Sequence, residues 1–179
     1  SDVCSSDLII EFDDPDWLAA GAVGEPGART FLVQAESEDG DRITVLVEKQ
    51  QVATLATELQ GFLTRLAEEV PPLPDEMLVP TRPCVVEDEV PDFRAFSMAI
   101  GWLADRRRIL IELHENPPID EGEDQILDPE GHVVRIFATR GAVRAMAEAA
   151  VVAVGQGRPP CPLCEFPMDP DGHACPRWN

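Results

Sequence analysis

Arg29-Thr30-Phe31-Leu32-Val33-Gln34-Ala35-Glu36-Ser37 and Asp41-Arg42-Ile43-Thr44-Val45-Leu46-Val47-Glu48 decide the fold. Both stretches are apolar and rich in β-branched residues. They flank Glu38-Asp39-Gly40, whose Asp-Gly step supplies the positive φ of a tight turn, so a hairpin is expected. From Gln50 to Val70 the period changes. Val52, Leu55, Leu59, Phe62, Leu66 and Val70 recur at intervals of three and four, which gathers them on one face of a helix that can lie over the hairpin. Pro71-Pro72 ends that helix, since proline has no N–H to give and clashes with the preceding turn.

Outward from this unit, residues 71–92 hold six Pro and six carboxylates with one Arg. They follow neither period and are expected to form an acidic, Pro-rich linker. Phe93 to Ala104 and Arg107 to His114 read as strands joined at Ala104-Asp105-Arg106. Residues 115–130 read as a second acidic loop with no basic residue, and His132 to Ala138 as a short strand. Thr139 can cap a helix through its hydroxyl, running over Val143, Met146, Ala150, Val151 and Val154 to Gly155 and Gly157. Strands followed by an amphipathic helix thus occur on both sides of the linker. The expected class is α+β: a degenerate strand-strand-helix duplication over residues 9–157, forming one mixed or antiparallel sheet with two helices on one face. A compact tail, residues 158–179, follows.

The 179 residues suit one domain with a small appendage. Fourteen Lys and Arg against 34 Asp and Glu give a net charge of −20, which repels DNA, RNA and anionic membranes over most of the surface. A hydrophobic content of 44% argues against wholesale disorder. Ser1-Asp2-Val3-Cys4-Ser5-Ser6-Asp7-Leu8 resembles the in-frame translation of a sequencing adapter and is set aside as a non-native scar. With it go two aspartates and one cysteine, leaving −18 and four of the five cysteines. No apolar run approaches the roughly 18 to 20 residues that span a bilayer, so a cytoplasmic protein without nucleic-acid or membrane partners is expected.

The tail carries the chemistry. Cys161-Pro162-Leu163-Cys164 followed by Gly172-His173-Ala174-Cys175 gives C-x2-C-x8-H-x-C. Three thiols and an imidazole are the tetrahedral N/S set of a structural zinc ion, and a CxxC turn aims two thiolates at one point. So short a tail buries too little apolar surface to fold alone, so metal binding would supply most of its ordering free energy, on the order of 10 kcal/mol. The expected ligands are Cys161, Cys164, His173 and Cys175, holding Zn2+ in a zinc-ribbon-like fold. Two features strain the pattern: His173 and Cys175 must converge across a turn, and Glu165 stands where a small residue such as Gly commonly follows the second Cys. The alternatives are a Cys161–Cys164 disulfide or redox pair, or free thiols; the Pro-rich surroundings do not suit a redox CxxC opening a helix. Four ligands leave no open position for catalytic zinc.

Phe12-Asp13 with Pro15, Gly24-Glu25-Pro26-Gly27-Ala28-Arg29-Thr30-Phe31 with Gln34-Ala35, and Gly157-Arg158-Pro159-Pro160-Cys161-Pro162-Leu163-Cys164 through Asp169-Pro170-Asp171-Gly172-His173-Ala174-Cys175-Pro176-Arg177 with Asn179 resemble the DUF3090 family. The resemblance spans essentially residues 9–179. It implies an uncharacterised protein of actinobacterial type and brings no established activity. Glu165, where Gly is expected, is a departure that bears on zinc affinity. The end at Asn179, a few residues early, fits a truncated fragment.

The remaining candidates are weaker. Gly21, Gly24 and Gly27 beside Arg29 form a Gly-rich turn whose N–H groups can line an anion site, but the turn leads into a strand and is neither a P-loop nor a dinucleotide fingerprint. His114 and His132 bracket the second acidic loop. Cys84 reads as an incidental thiol, and Glu87-Asp88-Glu89 and Glu121-Gly122-Glu123-Asp124 lack EF-hand spacing. In residues 158–179 two arginines face three carboxylates, the wrong sign for a nucleic-acid ribbon. No catalytic residues are assigned. The expected role is protein binding or assembly through a structural zinc tail. The alternative is a hydrolase or transferase with a pocket near the Gly21–Arg29 turn, lined by Arg29, Glu48 and His114 or His132.

Overall fold

The computed structural model describes residues 9–80, 82, 84–116, 131–169 and 171–178. The expected hairpin joins β3 (Thr30–Glu36) to β4 (Arg42–Val47), with Glu36 opposite Arg42. Its turn closes through the Ser37 N–H donating to the Asp41 carbonyl (2.9 Å), and Gly40 takes φ +89°. The helix α1 (Lys49–Glu69) starts at a Glu48/Gln51 capping box and buries Val52, Leu55, Ala56, Leu59, Leu63 and Leu66. Leu63 joins the predicted stripe, while Phe62 and Val70 sit half-buried at its edge. In the second half, β6 (Ser97–Leu103), β7 (Arg108–His114) and β8 (Val133–Ala138) form an antiparallel meander. The helix α2 (Arg140–Gly155) follows, capped by the Ala142 N–H donating to the Thr139 hydroxyl (3.1 Å).

The α+β class, the mixed strand directions and the two helices are as expected, but the strands lie in two four-stranded sheets where one was expected. Two strands are absent from the sequence reading, β1 (Ile9–Asp13) and β2 (Trp17–Val23), and the expected strand Phe93–Ala104 divides into Phe93–Arg94 and Ser97–Leu103, one in each sheet. One sheet runs β2-β3-β4-β5, where β5 is Phe93–Arg94; the other runs β1-β8-β7-β6. Each is a three-stranded antiparallel meander whose third strand is followed by a helix and paired in parallel with a fourth strand. In the first sheet that fourth strand, β5, follows α1. In the second it is β1, from the chain's start. The repeat is therefore one strand longer than expected, and side-chain packing joins the two sheets in place of backbone pairing. Helix α2 packs at once on α1, β2 and β7, and one hydrophobic cluster draws residues from both sheets and both helices.

Residues 71–92 are anchored rather than loose along the described positions. Pro74–Met77 forms a 3-10 turn that places Glu76 at 1% exposure between Arg107 and Arg140, which is itself 2% exposed. Arg140 Nε lies 3.0 Å from Glu76, its Nη1 donates to the Val70 carbonyl (2.7 Å), and its guanidinium covers the Trp102 ring. Burial alone would push the Glu76 carboxyl up, but hydrogen bonds from Arg107 and the Leu73 N–H, with the charge of Arg140, hold it below the ordinary range. Gly141 lets this turn approach, since a Cβ there would overlap the Met77 backbone. Further along, the Val86 N–H donates to buried Gln34 (2.9 Å), and Asp92 exchanges hydrogen bonds with Thr44. The expected scar at residues 1–8 and most of the second acidic loop, residues 117–130, lie outside the described residues. Among the described residues no helix is long and apolar enough to cross a membrane.

Candidate metal centre

The tail is built from two tight turns. Pro160 bridges Pro167, and the Cys161 N–H donates to the Phe166 carbonyl (2.8 Å), closing a small loop around the CxxC sequence. Within it the Glu165 N–H donates to the Cys161 carbonyl (2.9 Å), and Glu165 takes φ +63°, which turns the chain so that the Phe166 carbonyl faces the Cys161 N–H. The second turn bridges Asp169 and Gly172, with Gly172 at φ +91°, and delivers His173 and Cys175 to the first.

The four expected residues meet. One donor atom from each of Cys161, Cys164, His173 and Cys175 lies within 4.8 Å of every other, and no further cluster of this kind occurs among the described residues. Cys161 Sγ is 3.9 Å from Cys175 Sγ, and Cys164 Sγ is 3.1 Å from His173 Nε2. A zinc ion with Zn–S near 2.3 Å needs tetrahedral S···S separations of about 3.8 Å and S···N of about 3.6 Å; the Cys161–Cys175 pair already matches, the Cys164–His173 pair would open by about half an ångström, and the remaining pairs lie inside the 4.8 Å envelope. Cys161, Cys164 and Cys175 are free thiols. Backbone N–H groups of Leu163 and Cys164 hold the Cys161 thiol below its ordinary range, whereas burial pushes the Cys164 thiol up. The Cys161 sulfur accepts from the Leu163 N–H (3.4 Å). Such N–H···S bonds are the usual support for metal-bound thiolates.

The other candidates do not assemble. Gly21 is inside β2, not in a turn; Gly24 and Gly27 alone take positive φ there. Arg29 and Glu48 line different cavities: Arg29 faces one with Lys49 and Arg158, Glu48 one with Arg94, Glu115 and Asn116. His114 is held by Glu112 (2.8 Å) and His132 by Glu115 (2.7 Å). The Glu115 carboxylate is lowered by the backbone and ring N–H groups of His132, which makes the pair a loop anchor. Cys84 is exposed and apart from the other thiols. Lys49, the chain's single lysine, reads from the sequence as part of a solvated strand end with Glu48; it lies instead in the first turn of α1 and lines the Arg29 cavity.

The sequence model of a protein family described as "Protein of unknown function (DUF3090)" matches residues 10–175. No curated protein matches the chain.

Proposed function

The chain belongs to the DUF3090 family, and because that description assigns no activity, we propose a function from the tail's geometry: Cys161, Cys164, His173 and Cys175 hold one structural zinc ion, and the ordered tail serves protein binding or assembly in the cytoplasm. The observation that carries this reading is the convergence of three thiols and an imidazole within 4.8 Å. Three thiolates and an imidazole favour zinc over calcium or magnesium, which take oxygen ligands. A closed set of four leaves no position for substrate, which argues for a structural ion.

An assembly role draws support from what the tail displays. Leu163, Phe166 and Trp178 are 50%, 60% and 79% exposed, an unusual concentration of large apolar side chains on so short a segment. Aromatic anchors of this kind dominate protein–protein interfaces. The acidic balance of the chain disfavours nucleic acid as the partner.

Metal analysis with thiol titration under reducing conditions tests the reading. About one zinc per chain is expected, falling to none in the Cys161→Ser, Cys164→Ser double variant. Stoichiometric purification of a folded chain without metal would refute it.

A further inference from the structure

Three of the chain's fourteen cationic side chains converge on one cavity of about 300 Å3, lined by Gly27, Arg29, Phe31, Lys49, Gly157 and Arg158, with Pro167 closing it from the tail. They come from distant parts of the sequence: Arg29 from the turn before β3, Lys49 from the first turn of α1, Arg158 from the root of the tail. Their grouping is therefore a product of the fold, not of a basic run. Like charges brought together around one cavity repel, and in a chain of net charge −20 there is ample acid elsewhere to disperse them. An arrangement that gathers them calls for a counter-anion.

The cavity is also cleared and stiffened. Gly27 takes φ +96°, and a Cβ there would overlap the guanidinium of Arg158; a Cβ on Gly157 would come within 3.0 Å of Lys49 Nζ. The Arg29 guanidinium is fixed by donating to the Ala153 carbonyl (2.7 Å) and by lying 5.3 Å from the Phe31 ring centroid. Arg158 is positioned by Asp169 (3.1 Å). Glu48, next to Lys49, faces Arg94 (3.9 Å), and among the described residues Lys49 has no carboxylate partner. With Asp169 balancing one of the three cations, about two positive charges face the cavity. Lys49 also stands at the N-terminal end of α1, whose dipole adds to them.

We propose that this cavity binds the phosphate group of a small phosphate-bearing molecule. A phosphate monoester carries about 1.5 to 2 negative charges at neutral pH and three acceptor oxygens, which matches two uncompensated cations better than a carboxylate does. The inference goes beyond the metal reading but uses a tail that must be ordered, so it is tested on the full chain after zinc content has been measured. A chain without zinc would count against the metal site alone.

Because Lys49 is the only lysine, the occupant can be read at one atom. Reductive methylation by formaldehyde and a borane, followed by mass spectrometry of the peptide containing Lys49, reports access to its amino group. Inorganic phosphate should protect it saturably, whereas sodium chloride or acetate at matched ionic strength should not. Calorimetric phosphate binding should weaken about tenfold in Lys49→Gln and in Arg158→Gln, as expected for loss of one charge-assisted hydrogen bond, and recover in part in Lys49→Arg. Lys49→Gln alters an exposed side chain and should leave the melting transition in place. Equal protection by acetate, absence of protection by phosphate, or phosphate affinity unchanged in Lys49→Gln would each overturn the proposal.

Discussion

Replacing Glu165 by Gly should tighten metal binding. Glu165 takes φ +63°, turning the chain so that the following Phe166 carbonyl accepts from the Cys161 N–H and closes the loop that holds both CxxC thiols. A left-handed backbone costs a residue with a Cβ roughly 1 to 2 kcal/mol, and glycine escapes this while losing about 0.5 to 1 kcal/mol more conformational entropy on ordering. The net gain is about 1 kcal/mol. If ordering of the tail is coupled to metal binding, that gain appears as an approximately fivefold tighter zinc dissociation constant, measurable by competition with a chromophoric chelator. Removing a carboxylate beside three thiolates would also favour the metal complex, so Glu165→Ala is the necessary control. It loses the same charge but keeps the Cβ, and should gain much less than Glu165→Gly. Equal gains in the two variants would assign the effect to charge, and no gain in Glu165→Gly would refute the backbone argument.

Glu76→Gln should destabilise the fold by about 3 kcal/mol in chemical denaturation, because it leaves the buried Arg140 guanidinium without its counter-charge. The same pair fixes a pH dependence. The folded Glu76 carboxyl lies below its ordinary value of 4.5, so its contribution is fully present above pH 4.5 and is lost as pH falls through the folded value. Wild-type stability should therefore decline more steeply below pH 4.5 than that of Glu76→Gln, and parallel curves would contradict this. Gly141→Ala should cost more than 2 kcal/mol despite the higher helix propensity of alanine, since its Cβ would meet the Met77 backbone; a stabilised variant in thermal melts would refute that approach. Replacing both Phe166 and Trp178 by Ser should leave zinc stoichiometry intact and shift stability by less than about 1 kcal/mol, because both side chains are exposed. A larger loss would show that they are packed in the tail rather than presented.

The elements legible in the sequence are those with a clear period and local punctuation. The β3-β4 hairpin has alternating apolar residues and an Asp-Gly turn, α1 has its 3.6-residue stripe, and α2 has Thr139 as its cap. Strand β2 was hidden because Trp17-Leu18-Ala19-Ala20-Gly21-Ala22-Val23 has no alternation and consists largely of weak strand formers. Its first five residues are buried on both faces, and a Cβ on Gly21 would touch the Ala153 side chain of α2 at 3.6 Å. Small residues are needed there so that a helix can lie on the strand, which erases the pattern that would reveal it. Strand β1 was hidden for a different reason: its pairing with β8 is parallel and joins residues more than a hundred positions apart, and nothing local encodes such a partner. The anchoring of residues 71–92 depends on Gln34, Thr44, Arg107 and Arg140, all remote in sequence.

The metal candidates were legible because ligand chemistry is written in residue type and spacing, whereas the cationic cavity was not, because long-range folding alone brings its charges together. The two features share one segment. Arg158 faces the cavity and also pairs with Asp169, which opens the turn that delivers His173 and Cys175. Asp169 holds one side of the Arg158 guanidinium, and a metal ion that orders the tail fixes where that guanidinium points. Under the two proposals, metal binding should therefore strengthen phosphate binding by holding Arg158 in place, and reciprocity requires phosphate to strengthen metal binding by the same factor. Arg158→Gln would abolish that coupling while leaving all four candidate ligands in place. Measuring zinc affinity with and without phosphate, in wild type and in Arg158→Gln, thus separates a tail that only folds around metal from one that also reports the occupancy of the neighbouring cavity; phosphate affinities identical with and without zinc would show the two sites to be independent.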